Sequence, residues 1–121
     1  MKSIIKIKRI YEDAKESDGH RILVDRLWPR GVKKEAAAID AWEKDLAPSP
    51  PLRTWFGHKP ERWEVFQQRY KEELKENDHV ASFVDAHKKD KILTLVYAAK
   101  DEAHTHALVL QQYLAYLFDK A

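Results

Sequence analysis

The chain has no cysteine, and its only glycines are Gly19, Gly31 and Gly57. Without thiols it forms no disulfide, no thiolate metal site and no cysteine nucleophile. Three scattered glycines do not make the glycine-rich loop that cradles phosphate groups. No serine sits in the strand–turn–helix motif of serine hydrolases. Covalent catalysis is therefore poorly supported.

Long apolar runs are missing as well. No stretch approaches the roughly 20 apolar residues of a membrane helix. The first ten residues, MKSIIKIKRI, alternate apolar and basic side chains, and lack the apolar core of about 7–15 residues found in signal peptides. With 121 residues, the chain suits one domain. We expect a soluble cytoplasmic protein with no membrane partner and one α/β domain over residues 1–121.

Charge of one sign is also scarce overall, since the formal net charge is +2. Bulk charge therefore gives no argument for nucleic acid binding. The distribution is uneven, because residues 1–34 hold ten basic side chains against five acidic ones. The basic excess coincides with the motif RILVDRLWPRG (21–31).

Three segments have the patterns of β-strands. Residues 4–10 alternate in polarity, which predicts a strand with one wet face near a sheet edge. Residues 22–27 indicate a more buried strand, joined to the first by a hairpin or a single helical turn. Residues 92–99 are apolar on both faces, as in a central parallel strand.

Helical periodicity fills the rest of the chain. It predicts helices over 35–47, from Pro60 past Leu74, over 79–89, and over 102–119 with Asp101 as the cap. The element order predicts an α/β fold, a small single-domain sandwich with a largely parallel sheet flanked by helices. Three strands make a thin sheet, so the pattern leaves room for another.

Ligands of open α/β sheets bind outside the carboxyl ends of the strands. DRLWPRG follows the second predicted strand, so Arg26 and Arg30 are candidate anion ligands. Pairing with nearby acids is the alternative. Asp25 is a candidate acid or base, or half of an ion pair with Arg21 or Arg53. Trp28 stacks on a ligand ring or caps the core.

A second dense segment is LRTWFGHKPERW (52–63). It contributes the candidate ligand-binding residues Arg53, Trp55 and Arg62. The helix that follows adds Arg69 as a fourth. Arg62 and Arg69 are seven residues apart and thus lie nearly on one line of a helix. His58 lies in a Gly-Pro loop, where it serves as an acid or base or plays a structural role.

The segment YAAKDEAHTH follows the last predicted strand. Tyr97 either presents its hydroxyl to the crevice or packs, and His104 is a candidate proton-transfer group. Asp101, His104 and His106 suggest a metal site, but positions 104 and 106 of a helix point about 200° apart. We predict no metal and no cofactor here.

Three segments together resemble a known family: DGHRILVDRLWPRG (18–31), PPLRTWFGHKPERWEVFQQRY (50–70) and TLVYAAKDEAHTHALVL (94–110). The chain resembles the YeaO-like branch of a bacterial domain-of-unknown-function family. The resemblance implies an α/β fold and supplies no catalytic residue to carry over. Broader relatives carry cysteines near the last strand and helix, and thiol chemistry of that kind cannot transfer to this chain.

Three hypotheses of function remain open. The first is a pocket for a small anionic or nucleotide-like ligand, with acid–base chemistry as an option. The second is a non-catalytic protein-interaction module. The third is salt-dependent nucleic acid binding through basic residues outside the crevice: Lys6, Lys8, Arg9, Arg21, Lys33 and Lys34. The sequence leaves the oligomeric state and enzymatic activity undetermined.

Overall fold

A computed structural model, which describes residues 3–120, contains a four-stranded parallel sheet. The strands are β1 (Ile4–Arg9), β2 (His20–Leu23), β3 (Ala41–Trp42) and β4 (Ile92–Tyr97). Their order across the sheet is β1-β4-β2-β3. The predicted central position of the last strand and edge position of the first are therefore confirmed.

Five helices accompany the sheet, in agreement with the predicted α/β class. They are α1 (Lys34–Ala37), α2 (Pro50–Phe56), α3 (Trp63–Glu76), α4 (Asp78–His87) and α5 (His106–Lys120). Single 3-10 turns lie at Glu16–Asp18, Lys44–Leu46 and Pro60–Arg62. No helix within residues 3–120 is long and apolar enough to cross a membrane.

The predicted helix over 35–47 is wrong. Only α1 forms, and Ala38 ends it with a left-handed φ of 50°. The chain then pairs with β2, since Asp40 N–H donates to Arg21 O at 2.7 Å and Asp40 Oδ2 accepts from Arg21 N–H at 2.8 Å. β3 follows directly and is the strand that the sequence pattern did not identify. Strand pairing outweighs the helical spacing of the apolar residues here.

Two other predicted boundaries move. The second strand begins at His20 and ends at Leu23 instead of spanning 22–27, so Asp25 lies in the exit loop. β1 and β2 form no hairpin, because β4 lies between them. The last helix begins at His106 instead of 102, since Asp101 Oδ1 closes a turn by accepting from the backbone N–H groups of Ala103 and His104.

Two apolar clusters lie on opposite faces of the sheet. The larger joins β2 and β4 to helices α2–α5 and includes Phe66, Tyr70 and Leu110. The smaller holds Leu23 and Val96, together with the half-buried indoles Trp28 and Trp42. Alternate side chains of each strand point to opposite faces, so both strands contribute to both clusters.

A buried ionic network fixes the positions of the strands. The carboxylate of Asp18 accepts from Lys8 Nζ on β1 at 3.0 Å and from Arg21 Nη1 on β2 at 2.6 Å. Thr94 Oγ1 on β4 donates to Asp18 O at 2.6 Å. Three strands are thus held by one residue, and Asp18 is 4% exposed.

Candidate functional site

A pocket of about 460 Å³ lies outside the carboxyl ends of the neighbouring strands β2 and β4. This is where an open α/β sheet is expected to bind ligands. Its polar wall contains Asp25, Arg26, Arg53, His58, Lys100, Asp101, His104, Thr105 and His106. Its apolar wall contains Leu27, Ala47, Pro48, Phe56, Phe66, Ala98 and Ala99.

Three predicted catalytic residues and two predicted anion ligands meet in this pocket. The predicted acid–base groups are Asp25, His58 and His104, and the two arginines are Arg26 and Arg53. They come from three separate parts of the chain. The sequence-based expectation that the loops after the two strands face one crevice is therefore matched by the geometry.

Side chain to backbone hydrogen bonds hold the pocket walls. Arg26 donates from Nε to Pro48 O at 3.3 Å and from Nη2 to Ala47 O at 3.2 Å. Arg9, at the end of β1, donates from Nε to Ala99 O at 2.9 Å and from Nη2 to Ala98 O at 3.3 Å. Both guanidiniums therefore fix the shape of loops that line the cavity.

Asp25 and His106 form the inner polar part of the pocket. Asp25 Oδ2 accepts from Ala98 N–H at 3.0 Å, while Oδ1 lies 3.4 Å from His106 Nε2. That nitrogen is 2.9 Å from Val24 O. A carbonyl oxygen only accepts, so Nε2 carries a proton and donates to it. The imidazole is thereby fixed in one tautomer and orientation.

Burial dominates the electrostatics of this pair. It raises the pKa of Asp25 above its usual 3.8, against the opposing effects of His106, the Ala98 N–H and Arg53. It lowers the pKa of His106 below its usual 6.5, against the opposing charge of Asp25 and the bond to Val24 O. Neither group is the partner of Arg21, because Arg21 pairs with Asp18.

The exposed rim carries three basic side chains that are not paired with an acid. The side chains of Arg53, His58 and Lys100 make no hydrogen bond or ion pair with any residue from 3 to 120. His58 follows Gly57, and both residues adopt left-handed backbone, with φ of 57° and 53°. A left-handed histidine is uncommon, and here it places His58 at the pocket.

Asp101, the acid of the pocket rim, is paired, unlike these basic side chains. Asp101 Oδ2 lies 2.8 Å from His104 Nδ1, and this hydrogen bond is the main cause of a lowered pKa of Asp101. His106 instead faces Asp25. Among residues 3–120 no group of three or more His, Asp or Glu side chains is arranged to hold a metal ion.

Six predicted ligand-binding residues do not line the pocket: Trp28, Arg30, Trp55, Arg62, Arg69 and Tyr97. Trp28 donates from Nε1 to Val32 O at 2.7 Å and packs edge-on to Trp42, so its indole caps the smaller core cluster. Tyr97 is 1% exposed and belongs to the larger cluster, where burial raises its pKa. Arg30 is exposed, and its carbonyl accepts from Tyr11 Oη at 3.0 Å.

The other three form a separate cation–π cluster. The guanidiniums of Arg62 and Arg69 lie 5.2 and 4.5 Å from the centroid of the Trp55 ring. Arg62 Nη1 also donates to Trp55 O. The two arginines are aligned as predicted, but they contact the Trp55 indole of α2 and do not line the pocket.

The pocket comes from a chain with clear relatives. A family model described as the inactive DUF488-N3 subclade matches residues 4–121. The chain belongs to this family. It is 43% identical to the uncharacterised protein YeaO of Escherichia coli K12 over 110 residues, which cover 91% of this chain and 96% of YeaO. The uncharacterised protein Rv3073c of Mycobacterium tuberculosis H37Rv is 41% identical over 110 residues, covering 91% and 92%.

The expected YeaO-like family membership is therefore confirmed. No solved structure matches the chain significantly. The pocket of this member of the DUF488-N3 family must accordingly be interpreted from its own geometry.

Sequence reasoning missed two residues that build this pocket. His106 was considered only as a metal ligand, and Arg9 only as a nucleic acid contact. The signal for His106 was its place in the loop after the central strand. The signal for Arg9 was its position as the last residue of a parallel strand, where it reaches the neighbouring exit loop.

Proposed function

We propose that this protein binds a small anionic organic molecule in the pocket at the carboxyl ends of β2 and β4. The observation that carries the proposal is a difference in pairing between the basic and the acidic side chains of the pocket. The basic side chains of Arg53, His58 and Lys100 make no hydrogen bond or ion pair with residues 3–120. Asp101 is hydrogen-bonded to His104 and to backbone N–H groups, and one oxygen of Asp25 accepts the Ala98 N–H. These unpaired donors therefore favour an anion as the ligand.

The size and the walls of the pocket support an organic ligand. Its volume of about 460 Å³ lies within the usual range of roughly 300–1,000 Å³ for small-molecule sites. Phe56, Phe66 and Pro48 supply an apolar wall, which an inorganic ion leaves uncovered. A carboxylate or phosphate attached to an apolar or heterocyclic body fits both halves, and this class includes nucleotide-like molecules.

The family description favours binding over turnover. The matching model is described as an inactive subclade, and the chain contains no thiol. We propose that Asp25, His58 and His104 contribute to recognition of the ligand. Acid–base chemistry by these three residues is the further option that the same pocket offers.

Nucleic acid binding is less favoured because its candidate basic residues have other roles. Lys8 and Arg21 are paired with Asp18. Lys6 Nζ donates to Ser17 O, and Arg9 holds the loop after β4. Few free cations thus remain on this side to track a phosphate backbone.

The experiment is a thermal-shift and calorimetric titration with phosphate, benzoate, phenyl phosphate and adenosine monophosphate at low and high salt. A ligand that binds the native state raises the melting temperature with the logarithm of its excess over Kd. We expect an organic anion to bind and Arg53→Ala to weaken it about tenfold. Arg30→Ala is the matched control, since Arg30 is an exposed arginine outside the pocket. Absence of binding by all four anions, or equal loss in both variants, would overturn the proposal.

A further inference from the structure

The inner carboxylate of the pocket keeps one oxygen available. Asp25 Oδ2 accepts the N–H of Ala98 at 3.0 Å. Oδ1 accepts no hydrogen bond from residues 3–120 and lies 3.4 Å from His106 Nε2. The proton on that nitrogen is directed to Val24 O at 2.9 Å. The Asp25 side chain lines the cavity and is 18% exposed.

Both polar groups described beside the Asp25 carboxylate, the Ala98 N–H and the protonated His106 Nε2, are donors, so its oxygens serve as acceptors. Because a half-buried acceptor without a donor is unfavourable, Oδ1 favours a ligand atom that carries hydrogen. His106 cannot provide that hydrogen without giving up its bond to Val24 O. Asp25 and His106 are therefore not hydrogen-bonded to each other, and Asp25 Oδ1 remains an acceptor with a fixed position.

The exposed rim of the same pocket favours a ligand group of negative charge. Arg53 and Lys100 are exposed cations at the rim, and Arg53 makes no ion pair with Asp25, although its charge acts on that carboxylate. The apolar wall that includes Phe56 and Phe66 belongs to the same cavity. The cavity thus presents a carboxylate acceptor, two basic side chains and an apolar surface.

We propose that the ligand is a bipolar anion, whose N–H or O–H donor binds Asp25 Oδ1 while its carboxylate or phosphate binds Arg53 and Lys100. This inference rests on the proposed anion-binding function and specifies its ligand class. Simple anions without a donor leave the Asp25 acceptor unpaired and bind more weakly. Molecules with an acceptor at that position are repelled by the carboxylate.

The test uses three benzoates of similar size in calorimetric competition: 4-aminobenzoate, with an N–H donor; 4-methylbenzoate, with neither donor nor acceptor; and 4-cyanobenzoate, with an acceptor. The corresponding 3-substituted series is measured alongside, so that the reach of the substituent does not decide the result. In the wild-type protein we expect the amino compound to bind about tenfold more tightly than the methyl compound, and the cyano compound to bind most weakly.

Asp25→Asn provides the matched variant, because it keeps an oxygen for the Ala98 N–H and replaces the other oxygen by an N–H₂ donor. We expect this change to reverse the order of the amino and cyano compounds. Arg53→Ala is expected to weaken all three by the same factor. The wild-type order alone decides the inference if the Asp25 variant does not fold.

The two proposals fail in different ways. If all the benzoates bind equally and all weaken in Arg53→Ala, the anion site stands and the bipolar inference is overturned. If neither the benzoates nor the phosphate-containing anions of the first titration bind, or if Arg53→Ala changes nothing, the proposed function itself is overturned. An amino compound that binds no better than the methyl compound in either series is the decisive negative for the Asp25 acceptor.

Discussion

Replacing Asp18 by asparagine tests the network that aligns the strands ending at the pocket. The change keeps the shape of the side chain and removes the charge that faces Lys8 Nζ at 3.0 Å and Arg21 Nη1 at 2.6 Å. Both cations then lose their carboxylate, although Arg21 still donates to the carbonyls of Ala37 and Ala38. We expect the variant to fold with a clear loss of stability.

The size of that loss follows from the titration of Asp18. Burial by itself raises its pKa, but the hydrogen bonds from the Lys15 N–H, Lys8 and Arg21 outweigh burial and lower the pKa from 3.8 to about 2. That difference corresponds to about 2 kcal/mol of unfolding free energy. Because the folded-state pKa is the lower one, the stabilisation is fully present above pH 3.8 and is lost as the pH falls toward 2.

The assay is urea unfolding of wild type and Asp18→Asn, monitored by tryptophan fluorescence at pH 7, 5 and 3. We expect a difference of about 2–3 kcal/mol at pH 7 and 5, and about half of it at pH 3. Asp13→Asn is the control, since Asp13 is exposed and has no side-chain partner among residues 3–120. A difference that does not change between pH 7 and 3 would refute the ionic origin.

Other predictions concern the backbone, the core and the pocket. Gly19→Ala is expected to cost at least about 3 kcal/mol in urea unfolding, because a Cβ at φ +65° collides with the backbone oxygen of Ile92 in β4. Gly31→Ala is expected to cost only about 1 kcal/mol, since a Cβ there meets nothing within 4 Å. Tyr70→Phe is expected to cost about 1–2 kcal/mol in the same assay, since its buried hydroxyl donates to a backbone carbonyl at 2.6 Å; no loss would show that the bond contributes nothing. Asp25→Asn is expected to lower the pKa of His106 further, because the Asp25 charge opposes the lowering by burial; an upward shift in the NMR titration of the imidazole would contradict the arrangement.

The general fold could be predicted because the strongest patterns are local. The all-apolar run of β4 predicted a central parallel strand, and the stripe containing Phe66 and Tyr70 predicted α3. β3 was not predictable, since its two residues are set by pairing with β2 and carry no local pattern. The spacing of Ile39 and Trp42 there matched a helix by coincidence.

The sequence predicts the location of the pocket but only some of the residues that line it. Parallel topology brings the exit loops of β2 and β4 together, so the positions of Asp25 and His104 followed from their place after strands. The roles of Trp28 and Trp55 did not follow, because an indole can pack against the protein as well as face a ligand. Contacts between distant segments decide that choice.

Arginines divide in this structure between those that shape the pocket and the one that is free to bind in it. Arg9 and Arg26 donate hydrogen bonds to carbonyls of the loops that line the cavity. Arg53 lines the same cavity and donates to none of residues 3–120. A substitution of Arg9 or Arg26 should therefore alter loop geometry and stability together with ligand affinity. Replacement of Arg53 should change affinity alone, and this contrast separates a binding residue from a framework residue in the same fold.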